Sequence, residues 1–98
     1  MSETAPARLL PWPSENGRSA YLVTDNPDGY LSRLADRIEH EQLVDAREVL
    51  ALSRDLLVDV DVAAIELLFI ARRLTESLTQ TLRIADSRGA RLTPPPPP

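Results

Sequence analysis

The chain contains no cysteine and no lysine, only three glycines, and four aromatic residues in 98 positions: Trp12, Tyr21, Tyr30 and Phe69. Without cysteine there is no disulfide framework, no thiolate metal site and no thiol chemistry. The shortage of aromatics argues against an aromatic-centred β-sandwich. Apolar runs are short as well. Leu67–Ala71 falls far below the roughly 20 residues that a bilayer-spanning helix needs, so no membrane partner is expected. The opening MSETAPARLLPW has neither a basic start nor an apolar core, so no signal peptide is read and a soluble, cytoplasmic protein is expected. Proline is missing from Asp28 to Thr93 although the chain has nine. A gap of that length permits long helices.

What the chain does have is leucine and arginine. Sixteen leucines and an aliphatic remainder favour helix-on-helix packing. All eleven basic residues are Arg, against fifteen acids, for a net charge of −4. That sign argues against nucleic-acid binding by electrostatics alone. The charge is also divided. Residues 1–61 carry twelve acids and six Arg (−6), and residues 62–98 carry three acids and five Arg (+2). Two halves of opposite sign can pair within or between chains.

Residues 1–8 read as a disordered lead-in. Asn16-Gly17 signals a tight hairpin, with Ser19–Thr24 as one strand and Leu9–Trp12 as its edge partner, weakened by Pro11 and Pro13. Trp12, Tyr21 and Val23 are expected to face the helices. Asn26 then suits an N-cap, with Pro27 at the first helical position. Leu31, Leu34 and Ile38 begin a helical stripe that jumps face near His40–Gln42, where a break is conceivable. The Val58–Asp61 segment reads as a connector, with Asp61 capping a second helix and Val60 and Ile65 stapling its start. Gly89 reads as a left-handed C-cap, and residues 93–98 as a polyproline tail. The expected fold is mainly α: a long antiparallel αα-hairpin (about 27–57 and 62–88) preceded by a short β-hairpin, one domain over 9–92.

The second helix carries more apolar surface than one partner can cover. Ala64, Leu68, Ala71, Thr75, Leu78, Leu82 and Ala85 repeat at 4-3-4-3-4-3, a heptad seam. Leu67, Ile70, Leu74, Ser77, Thr81 and Ile84 form a second stripe beside it, and Leu67-Leu68-Phe69-Ile70 is apolar on every side. The excess predicts a homodimer, two hairpins making a four-helix bundle. The expected interface is Leu67, Leu68, Phe69, Ile70, Leu74, Leu78 and Leu82.

Groups able to do chemistry are sparse. Asp36 and His40, with Glu39 or Glu41, have the spacing of helical metal ligands, but charged i,i+4 pairs on a solvated face explain the same residues. Arg72 and Arg73 are candidate anion-binding residues; pairing with the acidic first helix explains them too. Thr75, Ser77, Thr79 and Thr81 could line a pocket or simply bond the preceding turn. No catalytic, metal or cofactor-binding residue is assigned, and no enzyme activity or cofactor is expected.

The segments LLPW, AYLVTDNPDGYLSRLADRIE and ARRLTESLTQTLRIADSRGARL together resemble a group of small uncharacterised helical proteins of high-GC Gram-positive bacteria, over about residues 9–92. Such proteins tend to be encoded near helix-turn-helix regulators, which implies an accessory or regulatory role and brings no catalytic residues. The expected function is a non-enzymatic homodimeric interaction module that serves another protein. A DNA-associated regulator is a second reading, resting on Arg83, Arg88 and Arg91, and a small ligand-binding protein or enzyme with a bundle-core pocket is a third.

Overall fold

The computed structural model describes residues 7–92; the expectations for residues 1–6 and for the 93–98 tail lie outside them. Four elements follow in order: strand β1 (Ala7–Pro13), strand β2 (Ser19–Val23), helix α1 (Tyr30–Val58) and helix α2 (Ala64–Leu92). The two helices run antiparallel, and the β-hairpin packs against the half of the rod that holds the start of α1 and the end of α2. No helix among the described residues is long and apolar enough to cross a membrane.

The β-hairpin forms where the turn signal stands, but by a different turn. Ser14 N–H donates to the Arg18 carbonyl (2.7 Å), and Gly17 N–H to the Ser14 carbonyl (2.9 Å). Only Gly17 has positive φ, at 78°. The loop is therefore a three-residue turn ending in a left-handed glycine, not the two-residue type in which Asn16 would also be left-handed. Strand β1 begins at Ala7, inside the segment read as disordered, because Arg8 is held by α1. The strand faces also differ from expectation. Tyr21 is 60% exposed and Val23 61%, whereas Leu10 is buried and Ala20 and Leu22 are half-buried. Alternation along a strand allows one set to face inward, and here it is Ala20 and Leu22.

Helix α1 starts three residues later than its expected first position. Asn26 does not cap it. Its side chain instead accepts from Asp28 N–H and its carbonyl accepts from Gly29 N–H, closing a separate turn before the helix. At the other end of α1, Asp59 rather than Asp61 shapes the connector, since its carboxylate accepts from Asp61 N–H at 2.9 Å. The staple does not form: Val60 is 96% exposed and Ile65 is also exposed. Helix α2 runs straight through Gly89 to Leu92 with no left-handed residue, so the expected C-cap is absent.

The seam between the helices sets small and polar side chains among a few aliphatic ones. On α1 the inward positions are Ser32, Ala35, Glu39, Gln42, Ala46, Val49, Ser53 and Leu56, spaced 3-4-3-4-3-4-3. On α2 they are Ile70, Arg73, Ser77, Gln80 with Thr81, Ile84 and Ser87. These are heptad rows. Helix α1 is unbroken through His40–Gln42, because Glu39 and Gln42 are themselves seam residues with polar partners.

One seam residue allows a simple check on this packing. The Ser77 hydroxyl is buried with no hydrogen-bond partner. An unsatisfied buried hydroxyl costs roughly 1–3 kcal/mol, and alanine is the better helix former. Ser77→Ala is expected to raise stability by about 1 kcal/mol, read as a higher midpoint in chemical denaturation. A loss of similar size would mean that the hydroxyl has a partner in solution.

Candidate functional site: a leucine face and a clasped glutamate

Small seam residues let the helix axes come close, and they leave the leucines outside. The buried apolar side chains among the described residues are Leu10, Pro11, Ala35, Val49, Ile70 and Ile84. On α2, by contrast, Leu67, Leu68, Leu74, Leu78 and Leu82 are all exposed, Leu78 by 60% and Leu82 by 55%. At 3.6 residues per turn, Leu67, Ala71, Leu74, Leu78, Leu82 and Ala85 occupy one sector of α2 that flanks the Ile70–Ser77–Ile84 seam, with Leu74 nearest to it and Leu82 farther round.

The expected interface residues thus divide. Leu67, Leu68, Leu74, Leu78 and Leu82 lie on this open surface. Ile70 does not: it is 5% exposed and spent against α1. Phe69 lies elsewhere, lining an apolar groove of about 330 Å³ at the connector end with Leu52, Leu56, Ile65 and Glu66.

Five leucines exposed on one helix leave a broad apolar surface open among the described residues. Contiguous apolar surface beyond a few hundred Å² marks an interaction site.

A second cluster is polar and was missed in the sequence. Glu39 is 1% exposed. Its Oε2 accepts from Arg8 Nη2 at 3.3 Å, and Arg88 and Arg91 approach its Oε1 at 3.6 and 3.7 Å. Arg8 also donates to the Ser32 carbonyl (3.1 Å) and to Asp36 (2.6 Å). Three elements are tied together at this point: β1 through Arg8, α1 through Glu39, and α2 through Arg88 and Arg91. Nearby, Gln42 Nε2 and Arg83 Nη1 both donate to the Pro11 carbonyl, and the Ser87 hydroxyl donates to the Leu9 carbonyl. Strand β1 is thereby stitched into the groove by carbonyls that a β-ladder leaves unused. The sequence signal was available: a 3-4 repeat on α1 that includes Glu39 and Gln42 once small residues are admitted to the core.

Arg72 and Arg73 take different positions. Arg73 meets Asp45 across the seam at 2.9 Å and Glu76 on its own helix at 3.0 Å. The hydrogen bonds and charge of Asp45, aided by Glu76, raise the Arg73 guanidinium above its ordinary pKa, so it remains a cation at any physiological pH. Arg72 is exposed. Thr75 and Thr79 hydroxyls donate to the carbonyls one turn back, at 2.8 Å each. His40 is exposed, and no group of three metal-ligating side chains converges among the described residues. No protein-family model, curated protein or solved structure matches the chain.

Proposed function

We propose that the protein is a non-enzymatic helical interaction module that works as a homodimer, two hairpins joining through their α2 helices to make a four-helix assembly. The observation that carries this reading is the exposed α2 row Leu68, Ala71, Thr75, Leu78, Leu82 and Ala85, which holds three leucines and three small side chains in a heptad frame.

The pattern is self-complementary. Let a second α2 lie antiparallel so that facing residue numbers sum to 153. Leu68 then meets Ala85 of the second copy, Ala71 meets Leu82, and Thr75 meets Leu78. Every one of these layers sets a leucine against a small residue, the arrangement that fills space without voids. Sliding one helix by a heptad instead sets Leu68 against Leu78 and Ala71 against Thr75, which packs unevenly. A two-fold axis requires that one patch recognise itself, and this row does. Leu67 and Leu74 border the contact and add apolar area.

Light scattering across a concentration series tests the reading. The expected mass is twice 10.9 kDa; a mass of one chain at every concentration up to the millimolar range would overturn it. The accessory role toward another protein is what the sequence resemblance implies, and the dimer is the platform on which it would rest. The reading as a bundle-core ligand site beside Arg72 and Arg73 has less support, since Arg73 is occupied by two carboxylates.

A further inference from the structure

Beside the clasped Glu39 is a cavity of about 290 Å³, walled by Leu22, Thr24, Pro27 and Asp36, with Arg8 and Arg91 on its polar side. Arg91 also borders a shallower hollow of about 210 Å³ with Arg88 and Leu92. Among the described residues the charges here do not balance. Arg8, Arg88 and Arg91 bring three positive charges, Glu39 and Asp36 two negative ones. The surplus is carried at a part-exposed site, where a positive potential draws in an anion from solvent.

The surplus has a location. Arg8 is fully committed at its two terminal nitrogens, and its Nε is buried with no partner. Asp36 is answered by Arg8 at 2.6 Å. Arg88 and Arg91 are different: they stand 3.6 and 3.7 Å from the same Glu39 oxygen, outside hydrogen-bond range, with planar donor arrays left over. Arg91 is the one that faces the cavity, and its side chain is 36% exposed, so a ligand can reach it. The Thr24 hydroxyl accepts from Asn26 N–H and keeps its own proton to donate. Leu22 and Pro27 offer an apolar wall a few atoms long.

We propose that this cavity binds a small organic anion, its carboxylate or phosphate head held by Arg91 with Thr24 and its short apolar body against Leu22 and Pro27. A guanidinium presents paired N–H groups that match either oxyanion. The cavity lies at the lower edge of the volumes typical of small-molecule sites, so the ligand is small. Because Arg91 and Arg8 also hold Glu39, an anion here tightens the junction of β1, α1 and α2. The site does not depend on self-association.

The test is a titration of the full chain, ¹⁵N-labelled, observing the Arg side-chain Nε resonances. Sodium hexanoate, sodium acetate, butyl phosphate and sodium chloride are the probes, at matched ionic strength. Saturable shifts at Arg8 and Arg91 are expected with hexanoate, with butyl phosphate or with both, and which of them saturates identifies the head group. Hexanoate is expected to bind at least tenfold more tightly than acetate, since each buried methylene is worth about 0.8 kcal/mol. Arg91→Gln should weaken binding at least tenfold, and Arg91→Lys should weaken it less. Shifts that never saturate and are reproduced by chloride would overturn the proposal. So would hexanoate binding that survives Arg91→Gln and Thr24→Val unchanged.

Discussion

Replacing Leu78 and Leu82 with Glu is expected to leave a monomer in place of the proposed dimer while the hairpin stays folded. Both side chains are more than half exposed in the protomer, so within one chain the exchange is a surface substitution, worth about ±0.5 kcal/mol. In the proposed dimer the same positions would face Ala71 and Thr75 of the second copy. Carboxylates there must be buried without partners or force the helices apart. At a few kcal/mol for each unpaired charge, the dissociation constant should rise at least a thousandfold. Sedimentation velocity should then report one chain of 10.9 kDa, with far-UV circular dichroism unchanged at saturating protein. A variant that keeps the dimer mass would place the contact elsewhere. Leu57→Glu, an exposed change near the connector, should leave the mass unaltered.

Removing the Glu39 carboxylate should produce the largest loss of stability of any single substitution in α1. Glu39→Ala leaves Arg8, held 88% buried, with its charge unanswered on that side, and brings Arg88 and Arg91 toward a vacancy. Breaking a buried ion pair by deleting one partner costs about 3–5 kcal/mol. In a chain of this size each kcal/mol moves the melting midpoint by about 4–8 °C, so a fall of at least 12 °C is expected in calorimetry. Glu39→Gln keeps the shape and one acceptor, and should lose less. Asp36→Asn serves as the contrast: its side chain is 63% exposed, and an exposed ion pair is worth at most about 1 kcal/mol. Glu39→Ala within 1 kcal/mol of the parent would mean that β1 is held by its other contacts, the hydrogen bonds from Gln42, Arg83 and Ser87 included.

Glu39 and the α2 leucine row also mark how far the sequence could be read. The proline gap and the leucine count pointed to two long helices, and Asn16-Gly17 to the hairpin, because both depend on local backbone preferences. The inward face of α1 was not legible in the same way. Reading for leucine, one follows Leu31, Leu34 and Ile38 and meets an apparent fault at Glu41 and Gln42. The chain instead buries Ser32, Ala35 and Glu39 and half-buries Gln42, since a short side chain or an answered charge lets the axes approach, and Arg8 arrives from β1 to answer Glu39. That partner is 31 residues away in sequence, so no helical spacing could reveal it. On α2 two heptad rows compete. The one with Ile70, Ser77 and Ile84 turns inward although it is less apolar, because polar seam matches polar seam. The leucine row is left open, and the extra leucine noted in the composition becomes surface. Helix ends were the least legible: Asn26, Asp61 and Gly89 are all sound capping residues, yet the Asn26 turn and the Asp59 connector place the boundaries otherwise.

The absence of cysteine makes the decisive measurement simple. Leu68 and Ala85 are seventeen residues apart on one helix, roughly 25 Å, so two cysteines placed there cannot bridge within a chain. In the antiparallel register they face each other across the two-fold axis. Leu68→Cys with Ala85→Cys, oxidised gently and run without reductant, should give a covalent dimer in high yield. Glu66→Cys with Arg83→Cys has the same spacing but lies off the leucine row, and should remain a single chain. A covalent dimer from the first pair alone is what the α2 leucine face predicts; no dimer from it, or equal dimer from both pairs, would contradict that face as the contact between copies.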